Sequence, residues 1–328
     1  MKNIVMCFDR ARDHLGLRGA TNAEALLRLL DESDEQIVWY HSGAPRSSRL
    51  AALRWREAAF GDARAAIAQA YEFLVDRWEP GDQIFIFGVG RGGYCAQALT
   101  RLLGTVGLLP DLMDYVLGAY ALPRTHRSAQ DWKRVTRVAA RISGRREISV
   151  PVRFLGLFDT VAVPGVGRQT VEPLTNVVSG RHAVAIDGAR FVASASDNVE
   201  EVWFRGAHCD VAGGPGACWP LAEIALDWML DGALAAGVGV PAGSRYDAPT
   251  PSEFDALAET AHTISLRKPP ASALVHASVD IYLREHPEYW RRLPAEVIWA
   301  DADWAARSER LVPAEPSRAS AALEAVAS

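Results

Sequence analysis

Short apolar runs alternate along the chain with longer stretches of helical periodicity. Residues 2–8 (KNIVMCF) read as a buried strand ending at Asp9, followed by a polar loop through Arg18 and Gly19. Thr21 and Glu24 are spaced as a capping box, and Ala23, Leu26, Leu27 and Leu30 form the apolar stripe of the helix behind them. Residues 36–40 give a second strand. Residues 41–60 are polar with scattered arginines and predict a long connection at the rim of a site. Ile67, Ala70, Tyr71, Leu74 and Trp78 mark a helix that leads through Pro80-Gly81-Asp82 into a third strand at 83–87. Past the glycines that follow, Cys95, Ala96, Leu99 and Leu103 set out the next helix.

The second half continues the alternation. Residues 105–147 have a helical and increasingly basic pattern, suited to a cap over the carboxyl edge of a sheet with a solvated cationic face. Residues 152–158 (VRFLGLF) return as an apolar strand ending in Asp159-Thr160, and RHAVAIDGARF precedes a strand at 201–204. That strand runs into Arg205-Gly206-Ala207-His208-Cys209-Asp210-Val211-Ala212-Gly213-Gly214, where Asp210 is expected to accept N–H bonds from the Gly213-Gly214 turn. Leu221, Ile224, Ala225 and Trp228 stripe another helix. Residues 241–270 are irregular, VHASVDIYLREHPEYW is partly helical, and 296–300 suit a last edge strand. The expectation is an α/β fold: a mainly parallel sheet flanked by helices over residues 1–312, a helical cap inserted near 105–150, and a disordered tail at 313–328.

Composition narrows the function classes. A chain of 328 residues with 49% hydrophobic content can bury one large core. A net charge of -5 with both signs mixed gives no electrostatic case for nucleic acid or for an anionic membrane surface. Cys7, Cys95, Cys209 and Cys218 contain no C-x-x-C pair and read as reduced thiols of a cytoplasmic protein. The MKNIVMCF start lacks the regions of a signal peptide, although signal-independent export would leave no mark. No apolar run approaches the roughly 20 residues of a membrane helix.

The candidate chemistry centres on residues 88–93. Gly88-Val89-Gly90-Arg91-Gly92 occupies a strand-to-helix turn, the place where serine hydrolases carry G-x-S-x-G, and its serine position is Gly90. Gly90, Asp159 and His208 follow the chain order nucleophile, acid, base, each just past an expected strand. Glycine offers no group for a base to activate. Residues 88–93 also satisfy G-x-G-x-x-G, the dinucleotide fingerprint, whose acidic partner would be Asp111 or Asp114 in a loop-to-helix stretch. Other routes to activity would be a substitute thiol, or a metal among Asp9, Asp159, His208 and Asp210, for which no spacing motif speaks.

The elbow, the Asp159 strand end and the His208 loop together resemble the catalytic domain of the type VI secretion phospholipase effectors. IVMCFD, TNAEALLRLL, FLGLFDTVAVPG, EVWFRGAHCDVAGG, LAEIALDWML and VHASV carry that resemblance along most of the chain. The family's elbow is G-F-S-R-G-A, its acid lies in D-T-V and its base in G-V-H-S-D-V-G-G. The resemblance implies an α/β-hydrolase acting on lipid or carboxyl esters, with Asp159 and His208 as a remnant triad. It puts Asp9, Gly88, Arg91, Gly92, Thr160 and Asp210 around a lipid or ester held in a cap pocket. It implies no cofactor and no metal, and names no protein partner. Two departures, Gly90 for serine and Asp9-Arg10-Ala11 for the family's D-G-T, point to a pseudoenzyme; the alternatives are an esterase with another nucleophile or a metal, and a nucleotide-binding module.

Overall fold

A computed structural model describes residues 1–9, 20–43, 55–122, 127–164, 174–188, 196–241, 251–260, 267–304 and 306. Its strands are β1 (Asn3–Phe8), β2 (Gln36–His41), β3 (Gln83–Val89), β4 (Val152–Phe158), β5 (Val177–Ala185), β6 (Val199–Phe204), β7 (Leu274–His276) and β8 (Ile298–Ala300). They form a single sheet in the order β2-β1-β3-β4-β5-β6-β7-β8, and each pairing is parallel. The helices are α1 (Asn22–Leu29), α2 (Trp55–Arg77), α3 (Arg91–Thr105), α4 (Met113–Tyr120), α5 (Ala129–Ser143), α6 (His208–Ala212), α7 (Trp219–Ala236), α8 (Glu253–Ala256) and α9 (Ser278–Glu285).

Both faces of the sheet are covered, and the sequence shows why. Along β1, Ile4, Met6 and Phe8 enter one apolar cluster with α2, α3, α4 and α5, while Val5 and Cys7 enter another with α1 and α7. β3 divides in the same way, Ile84 and Ile86 against Phe85, Phe87 and Val89. A strand with helices on both sides needs apolar residues at every position, so it reads as an unbroken hydrophobic run instead of an alternating one.

Several elements differ from the expectation. α2 begins at Trp55, inside the stretch expected to be a connection, because Phe60 and Ala63 already bury their side chains against the core. Only half of the anticipated capping box forms: Thr21 Oγ1 accepts the Glu24 N–H at 3.2 Å, while the Glu24 carboxylate takes Arg28. The helices expected as a cap pack against α2 and α3, with Val116, Leu117, Trp132, Val135 and Ala139 in their shared core. The acidic positions considered for a nucleotide ribose, Asp111 and Asp114, lie in a single 3-10 turn (Pro110–Leu112) and the first turn of α4, not at a strand end. The tail at 313–328 and the Arg10-Ala11 positions lie outside the described residues.

The chain steps outward from β1 to β2, then crosses back to β3 and proceeds steadily to β8. The direction therefore reverses between β1 and β3, and at such a point a crevice opens at the carboxyl ends of the strands.

Candidate functional site

Gly90 follows β3 and caps the N-terminus of α3 with φ 56° and ψ -114°. This backbone region costs a residue with a side chain about 1 to 3 kcal/mol. The chain therefore makes a sharp elbow with glycine at its turn position. Gly90 N–H donates to Phe158 O at 2.9 Å and Val161 N–H to Gly90 O at 3.1 Å, tying the turn to the end of β4. The flanking glycines are demanded by close approach: a Cβ on Gly88 would overlap the backbone of Gly92 and Gly93, and one on Gly92 the carbonyl of Phe8. At both positions the neighbouring backbone occupies the space a side chain would need.

Asp159 sits just past β4 at φ 41°, a left-handed conformation that Asp enters more readily than most residues. Its side chain is fully buried, and each of its bonds is to a donor. Oδ2 accepts His208 Nδ1–H at 2.7 Å and Oδ1 accepts the Ala185 N–H at 2.9 Å. Arg267 adds a two-pronged ion pair, through Nη1 to Oδ1 and through Nη2 to Oδ2 at 3.2 Å, while Nη1 also donates to Ala185 O at 2.9 Å. Burial alone pushes the carboxyl pKa up; the bonds and charges of His208 and Arg267 more than reverse this and hold it far below the usual carboxylate range.

His208 opens α6 with its side chain 29% exposed. Its ring faces the elbow: a Cβ placed on Gly90 would lie 3.0 Å from His208 Cε1 and 3.2 Å from Nε2. The three positions that sequence order singled out, distant by 69 and 49 residues, therefore converge on one point. With Nδ1 engaged by Asp159, Nε2 is the nitrogen turned toward the Gly90 turn. That is the arrangement by which a carboxylate orients an imidazole to take a proton from a nucleophile.

The remaining expected residues divide. Asp9, Arg91 and Gly92 line a cleft beside the β1–β3 reversal, together with Phe8, His41 and Val163. Asp9 Oδ2 is held there by Thr21 Oγ1 and by Tyr40 OH, each at 2.7 Å. No residue of 105–150 lines this cleft, and neither do Asp159 or His208. Gly88 and Thr160 pack the elbow: Thr160 is fully buried, its hydroxyl filling the place of a Gly93 Cβ and its N–H donating to His182 Nε2 at 3.2 Å.

Asp210 corrects its expectation. It folds back on the start of α6, where Oδ2 accepts Ala207 N–H at 2.8 Å and Thr260 Oγ1 at 2.7 Å, while Oδ1 accepts Cys218 N–H at 2.8 Å. The Gly213 and Gly214 N–H groups go to Cys209 O and Ala20 O. Asp210 so fixes the turn that carries His208. Among the described residues no group of three or more His, Cys, Asp or Glu side chains is placed to hold a metal ion. Burial pushes the Cys7 thiol far up and the Cys95 thiol up to about 12, which keeps both protonated at neutral pH.

A family model described as the type VI secretion phospholipase effector Tle1-like catalytic domain matches residues 2–232. The chain belongs to this family. The Tle1-like match spans β1 to α7 and includes Gly90, Asp159 and His208; Arg267, β7 and β8 lie beyond it. An uncharacterized protein of Saccharomyces cerevisiae, YEL023C, is 30% identical over 222 residues, which is 58% of this chain and 31% of that protein. The chain thus spans under a third of the length of this curated relative. Among solved structures, the Tle1 effector bound to the VgrG spike of the type VI secretion system is 18% identical, covering 64% of this chain and 51% of that one, at a TM-score of 0.38. An uncharacterized protein from Pseudomonas aeruginosa is 15% identical over 88% of this chain and 53% of its own, at a TM-score of 0.42. No single helix among the described residues is long and apolar enough to cross a membrane.

Proposed function

We propose that this chain is an ester- or lipid-binding pseudoenzyme: a Tle1-like hydrolase domain that retains base and orienting acid but cannot form an acyl-enzyme. The observation that carries the reading is the approach of His208 Nε2 to within 3.2 Å of a Cβ built on Gly90, with Nδ1 bonded to Asp159. In this reading His208 would accept the nucleophile's proton, Asp159 holds its tautomer, and the Arg91 N–H stands where an elbow offers one oxyanion donor. What fails is the attack itself. Loss of the serine of such a triad lowers turnover by roughly a million-fold, leaving about a thousand-fold over water from binding and the oxyanion donors.

The test restores the hydroxyl. Gly90→Ser is expected to hydrolyse short-chain nitrophenyl esters and phospholipid vesicles above the wild-type background, and Gly90→Ser with His208→Ala to return to it. Rapid ester hydrolysis by the wild-type protein, abolished by His208→Ala, would overturn the proposal in favour of an unrecognised nucleophile.

A further inference from the structure

The whole chain carries a charge of -5, yet seven Lys and Arg stand against two acidic residues between positions 127 and 147, a local net of +5. Most of this charge lies on α5. Trp132, Val135 and Ala139 face the core, and the opposite side is arranged in two rows one helical turn apart per step. Lys133, Arg137 and Arg141 form one row; Arg134, Val138 and Ile142 form the row beside it, all exposed. Val138 and Ile142 are 53% and 58% exposed and follow Arg134 one and two helical turns on in the same row. Arg145 and Arg146 extend the cationic rows past the Gly144 cap. Among the described residues, none of these cations is paired with a carboxylate within salt-bridge distance.

A solvated helix face commonly intersperses acids for i,i+4 pairing, whereas here two exposed aliphatic side chains stand one turn apart within the basic rows. We propose that the exposed face of α5 is a docking surface for an anionic lipid bilayer, with the basic rows at the headgroups and Val138 and Ile142 entering the acyl boundary. Each Lys or Arg held near such a surface strengthens binding about fivefold, so several together produce useful affinity without a membrane-spanning segment. The aliphatic ridge decides between polyanions, because a nucleic acid backbone offers cations their counter-charge but nothing apolar for Val138 and Ile142 to enter. The surface stands on α5 alone and does not depend on whether the elbow binds an ester.

The purified full chain is sedimented with vesicles of phosphatidylcholine, and with vesicles containing about 30% phosphatidylglycerol, at low and at high salt. Binding to the anionic vesicles is expected to exceed that to phosphatidylcholine at least tenfold and to weaken with salt. The triple variant Arg134→Glu, Arg137→Glu, Arg141→Glu should lower it about a hundredfold, with its circular dichroism unchanged. Val138→Ser with Ile142→Ser should lower it several-fold while leaving the salt dependence. Equal partition onto both vesicle types, full binding by the triple variant, or tighter binding to duplex DNA than to anionic vesicles through the same arginines would each overturn the assignment.

Discussion

Arg267 donates to both oxygens of Asp159 across 108 residues of sequence, while His208 holds one of those same oxygens. The carboxylate is fully buried, and its charge is balanced by His208 and by a guanidinium that is itself only 7% exposed. Removing one partner of such a pair leaves an uncompensated charge in the interior. Arg267→Gln is expected to lower unfolding stability by about 3 to 5 kcal/mol, read from urea midpoints. Arg267→Lys should recover only part of that loss, since an ammonium cannot reproduce the two-pronged geometry.

Acid sensitivity follows from the same cluster. The folded-state pKa of Asp159 is held below its unfolded value of about 3.9, so the pair's contribution is fully present above that value and is lost as pH falls through the folded pKa. Wild-type protein should therefore keep this contribution down to about pH 4. Arg267→Gln should move the acid-unfolding midpoint, followed by tryptophan fluorescence, to higher pH. An unmoved midpoint would mean that the guanidinium does not stabilise the carboxylate.

Placing a side chain at the elbow has a cost separable from its chemistry. At φ 56°, and with His208 Cε1 3.0 Å from the new Cβ, both Gly90→Ser and Gly90→Ala should lose about 1 to 3 kcal/mol of stability. Only the serine variant should gain hydrolysis. Thermal unfolding of the two variants beside their ester assays checks the separation.

Thiol labelling tests the substitute-nucleophile alternative. Cys7 and Cys95 are buried and protonated, whereas Cys209 and Cys218 are partly exposed. With a disulfide reagent at neutral pH, the folded protein should react at Cys209 and Cys218 and leave Cys7 and Cys95 unlabelled until it is denatured. Labelling of any cysteine faster than in the unfolded chain would indicate an activated thiolate.

What could be read from the amino acids follows the strength of local pattern. β1, β3 and β4 are unbroken apolar runs, and Gly90, Asp159 and His208 each stand at a strand end, so the sheet's carboxyl edge gathers them without further information. β7 has three residues and no signal of its own; it becomes a strand only because β6 supplies a partner. Arg267 could not be found at all. It follows a stretch without periodicity, and its role arises from a pairing with Asp159 that only the folded sheet creates. Asp210 was visible as a polar residue beside His208, but its choice of Ala207, Cys218 and Thr260 depends on a short helix that a five-residue segment does not announce.

Because the sheet adds its last two strands beyond residues 2–232 of the family match, those strands act as a guard rail for everything before them. A shortened chain stopping after α7 would bare the rim of β6 to strands of neighbouring molecules, and in the same cut would strip Asp159 of its guanidinium counter-charge. Insolubility and a loosened acid–base couple would then arrive together, from one missing flank.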